Sequence, residues 1–488
     1  MYNVRIVLLS LTLVLLLNAL PAADWSQFRG SNGTGVGDAT ALPSAIGPTQ
    51  NVAWKAELPP GHSSPIVSGN LIFLTAAEGG SRVDAGRQKV VDEGGRLITI
   101  ALDRATGKVL WRQPAPRPRL ERYQPTNSPA SPTPASDGEN VYVFFGDYGL
   151  ISYTHSGKER WKVPLGPFNN VNGHGSSPIV FGDLVVLVCD QDTGSYMIAV
   201  DKKTGRTKWK TARPEVTRSY VTPAVYQPAS GPAELIVPGA FQVISYYAAT
   251  GEKAWWVRGF SWQPKSVPVV DGDRIYVHSW EGGGEAETPT ETPDFAATLK
   301  VYDANKDGKL AEAEADPRIQ KTFYTLDLDS SGALDEGEWN YYRAKRASRN
   351  TLHAIRGGGK GDVTQSHVEW SMMKFLPNCP SPLLYQGVLY LIKDGGILTA
   401  VDPKTGKILK QGRLPGAVDT YYASPVAAAG KLFFASQQGK FTVVEAGAEW
   451  NVLSTQDFEE EIFATPAIAG NNIYVRTRSA LYCFRPVP

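Results

Sequence analysis

Short stretches of alternating apolar and polar residues recur along the whole chain and predict half-buried β-strands, for example at 70–76, 184–188 and 389–392. Eight such stretches follow a Ser-Pro, Thr-Pro or Val-Pro step, and the segment after each step usually ends with a Thr-Gly turn and a tryptophan. The eight steps are Ser64-Pro65, Thr133-Pro134, Ser177-Pro178, Thr222-Pro223, Val267-Pro268, Ser381-Pro382, Ser424-Pro425 and Thr465-Pro466. A repeat of 40 to 57 residues fits one four-stranded blade of a β-propeller, with each step opening the innermost strand.

The turn inside each repeat has a local physical reason. Its fullest copies are Ala101, Asp103, Thr106, Gly107, Trp111 and Ala199, Asp201, Thr204, Gly205, Trp209. The aspartate can accept hydrogen bonds from nearby backbone N–H groups, and the glycine supplies a positive φ that lets the third strand reverse into the fourth. The tryptophan is predicted to lie between neighbouring blades, where burial of its ring contributes about 2 to 3 kcal/mol.

The series of repeats predicts an all-β fold with eight blades. The closing tryptophans are Trp54, Trp111, Trp161, Trp209, Trp255, Trp370 and Trp450, and Lys410 stands where blade six should have its ring. The eighth copy stops after residues 480–484, so we expect residues 51–58, with Trp54, to supply its last strand. Pairing the beginning of the chain with its end closes the ring and removes two exposed sheet edges.

One interval in the series is too long for a single blade. Trp255 and Trp370 are 115 residues apart, which indicates an insertion in blade five between a strand at 274–279 and one at 351–355. The predicted organisation is a signal peptide at 1–23, propeller at 24–285, a small helical insertion at 286–349 and propeller again at 350–488. The equivalent hairpin of blade one, 77–96, is also long, so both elaborations should project from the same rim.

The insertion contains two twelve-residue loops with oxygen-bearing side chains at alternating positions. Ca²⁺ takes six to eight oxygen ligands, and this spacing turns alternate side chains inward, with a glycine at the bend and a glutamate closing the shell. Both loops closely resemble EF-hand loops, in which Leu310 and Leu334 would join them through a short backbone bridge. The predicted ligands are Asp303, Asn305, Asp307, the carbonyl of Lys309, and Glu314 in the first loop, and Asp327, Asp329, Ser331, the carbonyl of Ala333, and Glu338 in the second.

Only twelve residues, 315–326, separate the two loops, so the helix that leaves the first loop should be a single turn. A new helix is expected to begin at Asp316-Pro317. The sequence leaves open whether calcium is structural or regulatory.

Composition and targeting signals narrow the class of protein. The chain has 49 basic and 48 acidic residues, which gives no electrostatic footprint for nucleic acid. Residues 1–23 have Arg5, an apolar run at 6–17 and small residues before Asp24, which predicts a cleaved secretory signal and a secreted or periplasmic protein without an integral membrane span. Cys189, Cys379 and Cys483 are too few and too scattered for a disulfide framework.

The Ala-x-Asp-x-x-Thr-Gly-x-x-x-Trp pattern resembles the repeat of the pyrroloquinoline-quinone (PQQ)-like propellers, over 24–285 and 351–488. This group includes quinoprotein dehydrogenases and a non-enzymatic scaffold of the outer-membrane protein assembly machinery. Residues 24–30 also resemble an opening found in secreted bacterial members. The resemblance implies the fold, but the adjacent cysteines and the Cys-x-x-Cys-His haem sequence of quinoprotein alcohol dehydrogenases do not occur here, so catalytic residues are not transferred.

Any small-ligand site is expected where the connections between blades converge on the propeller axis. The candidates for cofactor binding there are His62, Ser64, His174, Ser176, Tyr220, Lys265 and Tyr422. The competing interpretation is that these side chains satisfy backbone groups at strand ends.

Two functions remain open from the sequence. The first is an exported, calcium-binding scaffold that binds a protein or polymer on one propeller face. The alternative is a PQQ-dependent oxidoreductase of alcohols or sugars. Signatures of other enzyme classes, such as a Gly-x-Ser-x-Gly elbow, a phosphate-binding loop or a His-Glu-x-x-His helix, are absent from the sequence.

Overall fold

Eight four-stranded antiparallel sheets surround a common axis in the computed structural model, which describes residues 24–86, 89–282 and 291–486. The eight-bladed propeller predicted from the repeat is therefore confirmed. The predicted signal peptide at 1–23 and the first residues of the insertion lie outside the described residues. Within those residues, no helix has both the length and the apolar character needed to cross a membrane.

Each blade consists of four strands, and each proline step opens the innermost one. The strands of blades one to four are Ile66–Ser68, Leu71–Glu78, Arg96–Asp103, Val109–Pro114; Ala135–Ser136, Asn140–Phe145, Gly149–Thr154, Glu159–Pro164; Ile179–Phe181, Leu184–Cys189, Tyr196–Asp201, Thr207–Ala212; and Ala224–Tyr226, Glu234–Gly239, Gln242–Tyr247, Lys253–Arg258. Those of blades five to eight are Val269–Asp271, Arg274–Ser279, Thr351–Arg356, Val368–Met372; Leu383–Tyr385, Val388–Lys393, Ile397–Val401, Ile408–Arg413; Val426–Ala428, Lys431–Ala435, Lys440–Glu445, Asn451–Asp457; and Ala467–Ala469, Asn472–Arg476, Ala480–Phe484, Val52–Glu57.

Closure of the ring uses the N-terminal strand, as the sequence predicted. Val52–Glu57 pairs antiparallel with Ala480–Phe484, and Trp54 lies opposite Cys483. This strand is the outermost of blade eight, so the first and last parts of the ring share one sheet.

The tryptophan of one blade contacts the turn of the next blade rather than its own. The indole Nε1 of Trp161 donates a hydrogen bond to the carbonyl oxygen of Lys202 at 3.0 Å. A Cβ on Gly205, in the same turn, would lie 2.9 Å from the Trp161 ring. Gly205 therefore serves two purposes, since it adopts a φ of 73° and leaves room for the neighbouring ring.

The assignment of Trp450 as the closing ring of blade seven is wrong. Lys410 lies opposite Ala400, at the expected tryptophan position of blade six, but the equivalent residue of blade seven is Ser454, opposite Val443. Trp450 precedes that strand, and the Nζ atom of Lys410 lies 4.8 Å from the centre of its ring. Trp450 thus fills the junction of blades six and seven from the opposite side.

Residues 24–37, here called the floor segment, cross one end of the propeller axis. Trp25 forms a backbone bridge with Val67 of blade one, and Val36 forms another with Ala427 of blade seven. Between them, the amide of Asn32 exchanges two hydrogen bonds with the backbone of Val225 in blade four. The segment therefore ties together blades that are distant along the ring.

The insertion is a compact helical unit between the second and third strands of blade five. It contains helices α1 (Phe295–Tyr302), α2 (Pro317–Gln320) and α3 (Glu336–Ala347), a 3₁₀ turn at Phe323–Thr325 and a strand pair, Leu310–Ala311 with Ala333–Leu334. Leu310 lies directly opposite Leu334, as the EF-hand resemblance implied. Only a turn follows Ala311 before α2 begins at Pro317, so the first loop has no full exiting helix.

Two smaller features extend the described part of the propeller. Ser81–Gly86 and Lys89–Glu93 form the long hairpin of blade one. In blade five, Gly361–Asp362 adds a parallel strand to the outer edge of blade four and leads into helix α4 (Thr364–His367).

Candidate functional site

A cavity of about 430 Å³ lies on the axis and is here called the axial cup. Phe28 of the floor segment lines it, together with the Ser and Thr residues of six proline steps. Five of these hydroxyls, and that of Thr222, accept hydrogen bonds from the backbone N–H at the step of a neighbouring blade. The bonds are Ser64 to Thr133, Thr133 to Ser177, Ser177 to Thr222, Val267 to Ser381, Ser381 to Ser424, and Ser424 to Thr465, at 2.9 to 3.1 Å.

This hydroxyl ring gives the Ser/Thr-Pro signature a physical cause. The hydroxyl satisfies a buried N–H across six of the eight blade junctions, and proline has no N–H of its own to satisfy. At the proline steps, the hydroxyls bind backbone N–H groups at strand ends, as the competing interpretation from the sequence expected.

Five of the seven axial candidates line the cup: His62, Ser64, Tyr220, Lys265 and Tyr422. Tyr220 accepts a hydrogen bond from the amide of Asn172 at 2.7 Å, and burial raises its pKa. The Nζ atom of Lys265 donates to Oδ1 of Asn378 at 3.0 Å. Burial also raises the pKa of Tyr422, so both phenols are neutral hydrogen-bonding groups.

His174 and Ser176 do not line the cup. His174 lies edge-on to Phe144 and Phe168, with ring centroids 5.2 and 4.5 Å away, and burial lowers its pKa to about 3. Ser176 is buried. The near-equivalent positions of His62 and His174 in the sequence therefore lead to different environments.

Two cup residues had no signal in the sequence and one had a signal that was missed. Trp280 and Glu281 line the cup but stand in no repeated motif, whereas Phe463 lies two residues before its proline-step residue Thr465, as His62 does before Ser64. Trp280 and Glu281 directly follow the strand Arg274–Ser279, so the insertion begins at the mouth of the cup. The position of the insertion was the only available hint that its first residues would lie at the axis.

The two predicted calcium loops share one conformation. In the first, the carboxylate of Asp303 accepts hydrogen bonds from the N–H groups of Asp307 and Gly308. Glu314 accepts them from Ala304, Asn305 and Ala311. The second loop repeats these bonds with Asp327 and Glu338 as the acceptors, and Gly308 and Gly332 have φ values of 78° and 88°.

The loops differ in how closely their carboxylates are grouped. Oxygen atoms of Asp327, Asp329 and Glu338 all lie within 4.8 Å of one another, which suits a hard cation. Within the described residues, the carboxylates of the first loop form no group that meets the same distance. The hydroxyl of Ser331 lowers the pKa of Asp329, whereas burial raises that of Glu338.

The second loop and helix α3 are docked on the propeller. Nδ2 of Asn169 donates to the carbonyl oxygen of Leu328, within the loop, at 2.6 Å. One turn after Glu338, the ring of Tyr341 lies 5.2 Å from Phe241 and 5.4 Å from Trp262. One further turn along, Lys345 forms an ion pair with Glu281 of the cup at 2.9 Å.

The elaborations on this face contact one another and form a wall, here called the collar: the hairpin 81–93, the segment 115–130 and the insertion 291–350. Val90 of the hairpin pairs with Tyr123 of the segment through two backbone hydrogen bonds. The Nζ atom of Lys89 lies 5.2 Å from the ring of Tyr324 in the insertion. Gln124, Thr126 and Asn127 of the segment line the cup, so the collar borders its mouth.

A family model described as outer membrane protein assembly factor BamB, of the PQQ-like repeat type, matches residues 93–237 and 342–486. Together these segments cover more than half of the 488 residues. The chain belongs to this PQQ-like propeller family. The match contains most of blades one to four and then, from within helix α3 onward, the second half of blade five and blades six to eight up to Phe484.

Solved structures agree on the fold. A europium-containing methanol dehydrogenase superposes with a TM-score of 0.60 at 12% identity, covering 96% of this chain and 99% of that one. BamB from Moraxella catarrhalis gives 0.50 at 11% identity, covering 85% and 100%. At these identities the likeness concerns architecture alone, and no curated protein sequence matches the chain.

Proposed function

We propose that this chain is an exported calcium-binding propeller that serves as a recognition or assembly scaffold and binds a protein or polymer partner on its collar-bearing face. The observation that carries the proposal is the collar itself. Three segments from different parts of the chain meet on one face, and one of them lines the cup. Membership of the BamB-type family supports the same role.

Exposed apolar side chains on the collar offer the surface that such a partner needs. Val83, Leu120 and Val301 are 37%, 41% and 72% exposed, one on each of the three segments. These side chains are the apolar groups that a partner would cover, since apolar groups are enriched at the centre of protein interfaces.

Calcium belongs to this proposal through the insertion. Asp303, Asn305, Asp307, Lys309 and Glu314 would hold one ion, and Asp327, Asp329, Ser331, Ala333 and Glu338 the other. Bound Ca²⁺ would replace the repulsion among the grouped carboxylates with coordination, and so would stabilise the docked position of helix α3.

The calcium part is tested by calorimetric titration of metal-free protein. We expect two ions per chain, one lost in Glu314→Gln and the other in Glu338→Gln, because each change removes the carboxylate that closes its loop. Glu336→Gln is the matched control, since Glu336 lies at the start of α3 but outside the ligand positions. Two ions retained in both loop variants would refute the assignment.

The partner part is tested by capture and cross-linking from the native envelope, with mass spectrometric identification of the bound protein or polymer. Leu120→Asp should weaken capture of the identified partner at least about tenfold, because it places a charge on the apolar face. Leu453→Asp, at a 42% exposed position on the outer strand of blade seven, is the control and should have no effect. Equal capture of the partner by both variants would exclude the collar as the partner-binding surface.

The alternative, a PQQ-dependent oxidoreductase of alcohols or sugars, is favoured by one observation. Lys265 lies 5.8 Å from the ring of Trp280 in the cup, and an indole face beside a cation suits a planar anionic ring. Against it, Glu281 is the one carboxylate among the described residues lining the cup, and Lys345 already neutralises it. The cup therefore offers no carboxylate cluster for a central cation, and stoichiometric uptake of PQQ, measured by absorption, would decide for the alternative.

A further inference from the structure

A second cavity, of about 530 Å³, lies beside the axial cup between blades one and eight. His62, Thr126 and Phe463 line both cavities and separate them. The rings of His62 and Phe463 are stacked, with centroids 4.1 Å apart and planes 11° from parallel. The arrangement places a flat, neutral surface on one side of the second cavity.

Arg476, the last residue of strand Asn472–Arg476, is buried in the wall of this cavity with its charge uncompensated. Its Nη1 donates to the carbonyl oxygens of Ser63 and Thr75 at 2.8 and 2.9 Å. Its Nε is buried without a hydrogen-bond partner, and within the described residues no carboxylate lies at ion-pair distance. Burial lowers the pKa of Arg476 to about 9, as expected for a cation without a counter-charge.

Two other buried arginines of the propeller are paired. Arg213 is paired with Asp190 and Arg218 with Asp192, and all four side chains are almost inaccessible to solvent. Arg29, like Arg476, is buried without a carboxylate at ion-pair distance among the described residues, but it donates to backbone carbonyl oxygens and lines neither cavity. Arg476 differs from Arg29 in bordering an open cavity, through which an anion can reach it.

Two more arginines line the same cavity. Arg82 of the collar hairpin donates to the carbonyl oxygen of Pro125 at 2.9 Å, and Arg478 lies 3.6 Å from Glu461. Asp92 also lines the cavity, so three guanidinium groups face two carboxylates. Burial and then the charges of Arg476, Arg82 and Arg478 lower the pKa of His62 to about 3, so the imidazole is neutral and the three arginines surround it.

We propose that this arginine cavity binds a small molecule carrying a carboxylate or phosphate group, with the oxyanion on the arginines and the rest of the ligand against the His62–Phe463 stack. Guanidinium groups bind planar and tetrahedral oxyanions through paired charge-assisted hydrogen bonds. The cavity volume is that of a small-molecule site, and it leaves room for a neutral body beside the oxyanion. The site depends on neither calcium nor a partner protein, so its failure would leave the proposed scaffold untouched.

The test is calorimetric titration of the full chain, without added calcium, with inorganic phosphate and separately with succinate. Binding of one phosphate or one succinate per chain is the expected result, and the two titrations show which oxyanion geometry the cavity prefers. Arg478→Gln and Arg82→Gln should each weaken binding about tenfold, because each removes one charge-assisted contact at the cavity wall. Both positions are exposed enough for the variants to fold.

Arg96→Gln provides the matched control. Arg96 is 69% exposed in blade one and does not line the cavity, so its removal should leave the affinity unchanged. Wild-type protein that binds neither anion would overturn the proposal. So would an equal loss of affinity in all three variants, which would indicate nonspecific attraction to surface charge.

Discussion

The propeller and its insertion differ in what holds each of them together. Every blade junction of the propeller buries a continuous apolar layer, such as Ile66, Phe73, Val141 and Ile151 between blades one and two. The insertion has a small core, centred on Phe295, Phe323 and Trp339, and much of its remaining volume is two loops of carboxylates bonded to backbone N–H groups. Burial of apolar surface stabilises the first unit, whereas the second would be stabilised by the calcium that we propose it binds.

The comparison predicts that the two units respond to different chemical conditions. The propeller contains every histidine of the chain. It also contains the buried ion pair of Arg213 with Asp190 and the contact between Gly205 and the Trp161 ring. The insertion contains the calcium loops. Changes in acidity and in blade contacts should therefore act on the propeller, and removal of calcium on the insertion.

The largest expected effect is acid destabilisation of the propeller. Burial lowers the pKa of His62, His174 and His278 to about 3, below the ordinary 6.5 that applies when the chain is unfolded. Since the unfolded chain then binds more protons than the native one, the free energy of unfolding falls as the pH drops from 6.5 toward 3. Each histidine contributes about 1.4 kcal/mol per pH unit in that window.

Denaturant titrations at pH 7 and pH 5 measure this loss. His174→Phe should reduce the difference between the two pH values by roughly 2 kcal/mol, because one of the three groups is gone. A variant with the same difference as the wild type would contradict the role of buried histidine.

The next effect concerns a buried ion pair. Arg213 and Asp190 are both fully buried, and the Nε–Oδ1 distance is 2.8 Å. Asp190→Asn should cost about 3 to 5 kcal/mol of unfolding free energy because it leaves a buried guanidinium without its partner. Glu78→Gln, in the exposed pair with Arg96, should cost less than about 1 kcal/mol in the same denaturant titration. Similar losses of unfolding free energy in the two variants would show that the contribution of an ion pair here does not depend on its burial.

A blade contact gives the third effect. Gly205→Ala forces a side chain into a positive φ and against the Trp161 ring, and should cost about 2 to 4 kcal/mol. Gly182→Ala is the control, with a φ of 56° and no atom within 4 Å of the new Cβ. It carries only the backbone strain of about 1 to 2 kcal/mol. An equal shift of the thermal unfolding midpoint in both variants would exclude a contribution from the contact with the Trp161 ring.

Calcium removal should have the smallest effect on overall stability. Chelation is expected to expose residues 291–350 to protease, while the unfolding midpoint of the propeller moves by less than about 2 °C. Proteolysis followed by mass spectrometry identifies the cleaved bonds. Cleavage spread over the blades would mean that calcium supports the propeller as well.

The repeat in the sequence was sufficient to predict most of the propeller ring. Proline steps, turn glycines and alternating strands are local features, and closure follows because blade eight lacks one strand and Val52–Glu57 precedes all blades. The bridge between Leu310 and Leu334 was predictable for the same reason, since loop spacing is local.

Contacts between distant segments were beyond local patterns. The turn between the third and fourth strands is one residue longer in blade seven than in blade one, and Ser454 occupies the position that a tryptophan holds in blade one. The number of blades predicted from Trp450 was right, although Trp450 does not occupy that position. His174 stands three residues before Ser177, whereas His62 stands two residues before Ser64, and Phe144 and Phe168 enclose the His174 ring. Likewise, the sequence around Arg476 does not show that the folded chain, over its described residues, places no carboxylate at ion-pair distance from this guanidinium group.

The floor segment imposes an order on assembly. Residues 24–37 leave the ribosome before any blade exists, yet their partners include Val225 in blade four and Ala427 in blade seven. Trp25 can pair with Val67 as soon as blade one forms, but the contacts of Asn32 and Val36 require blades four and seven. Complete docking of this early stretch therefore depends on parts of the chain that are made much later.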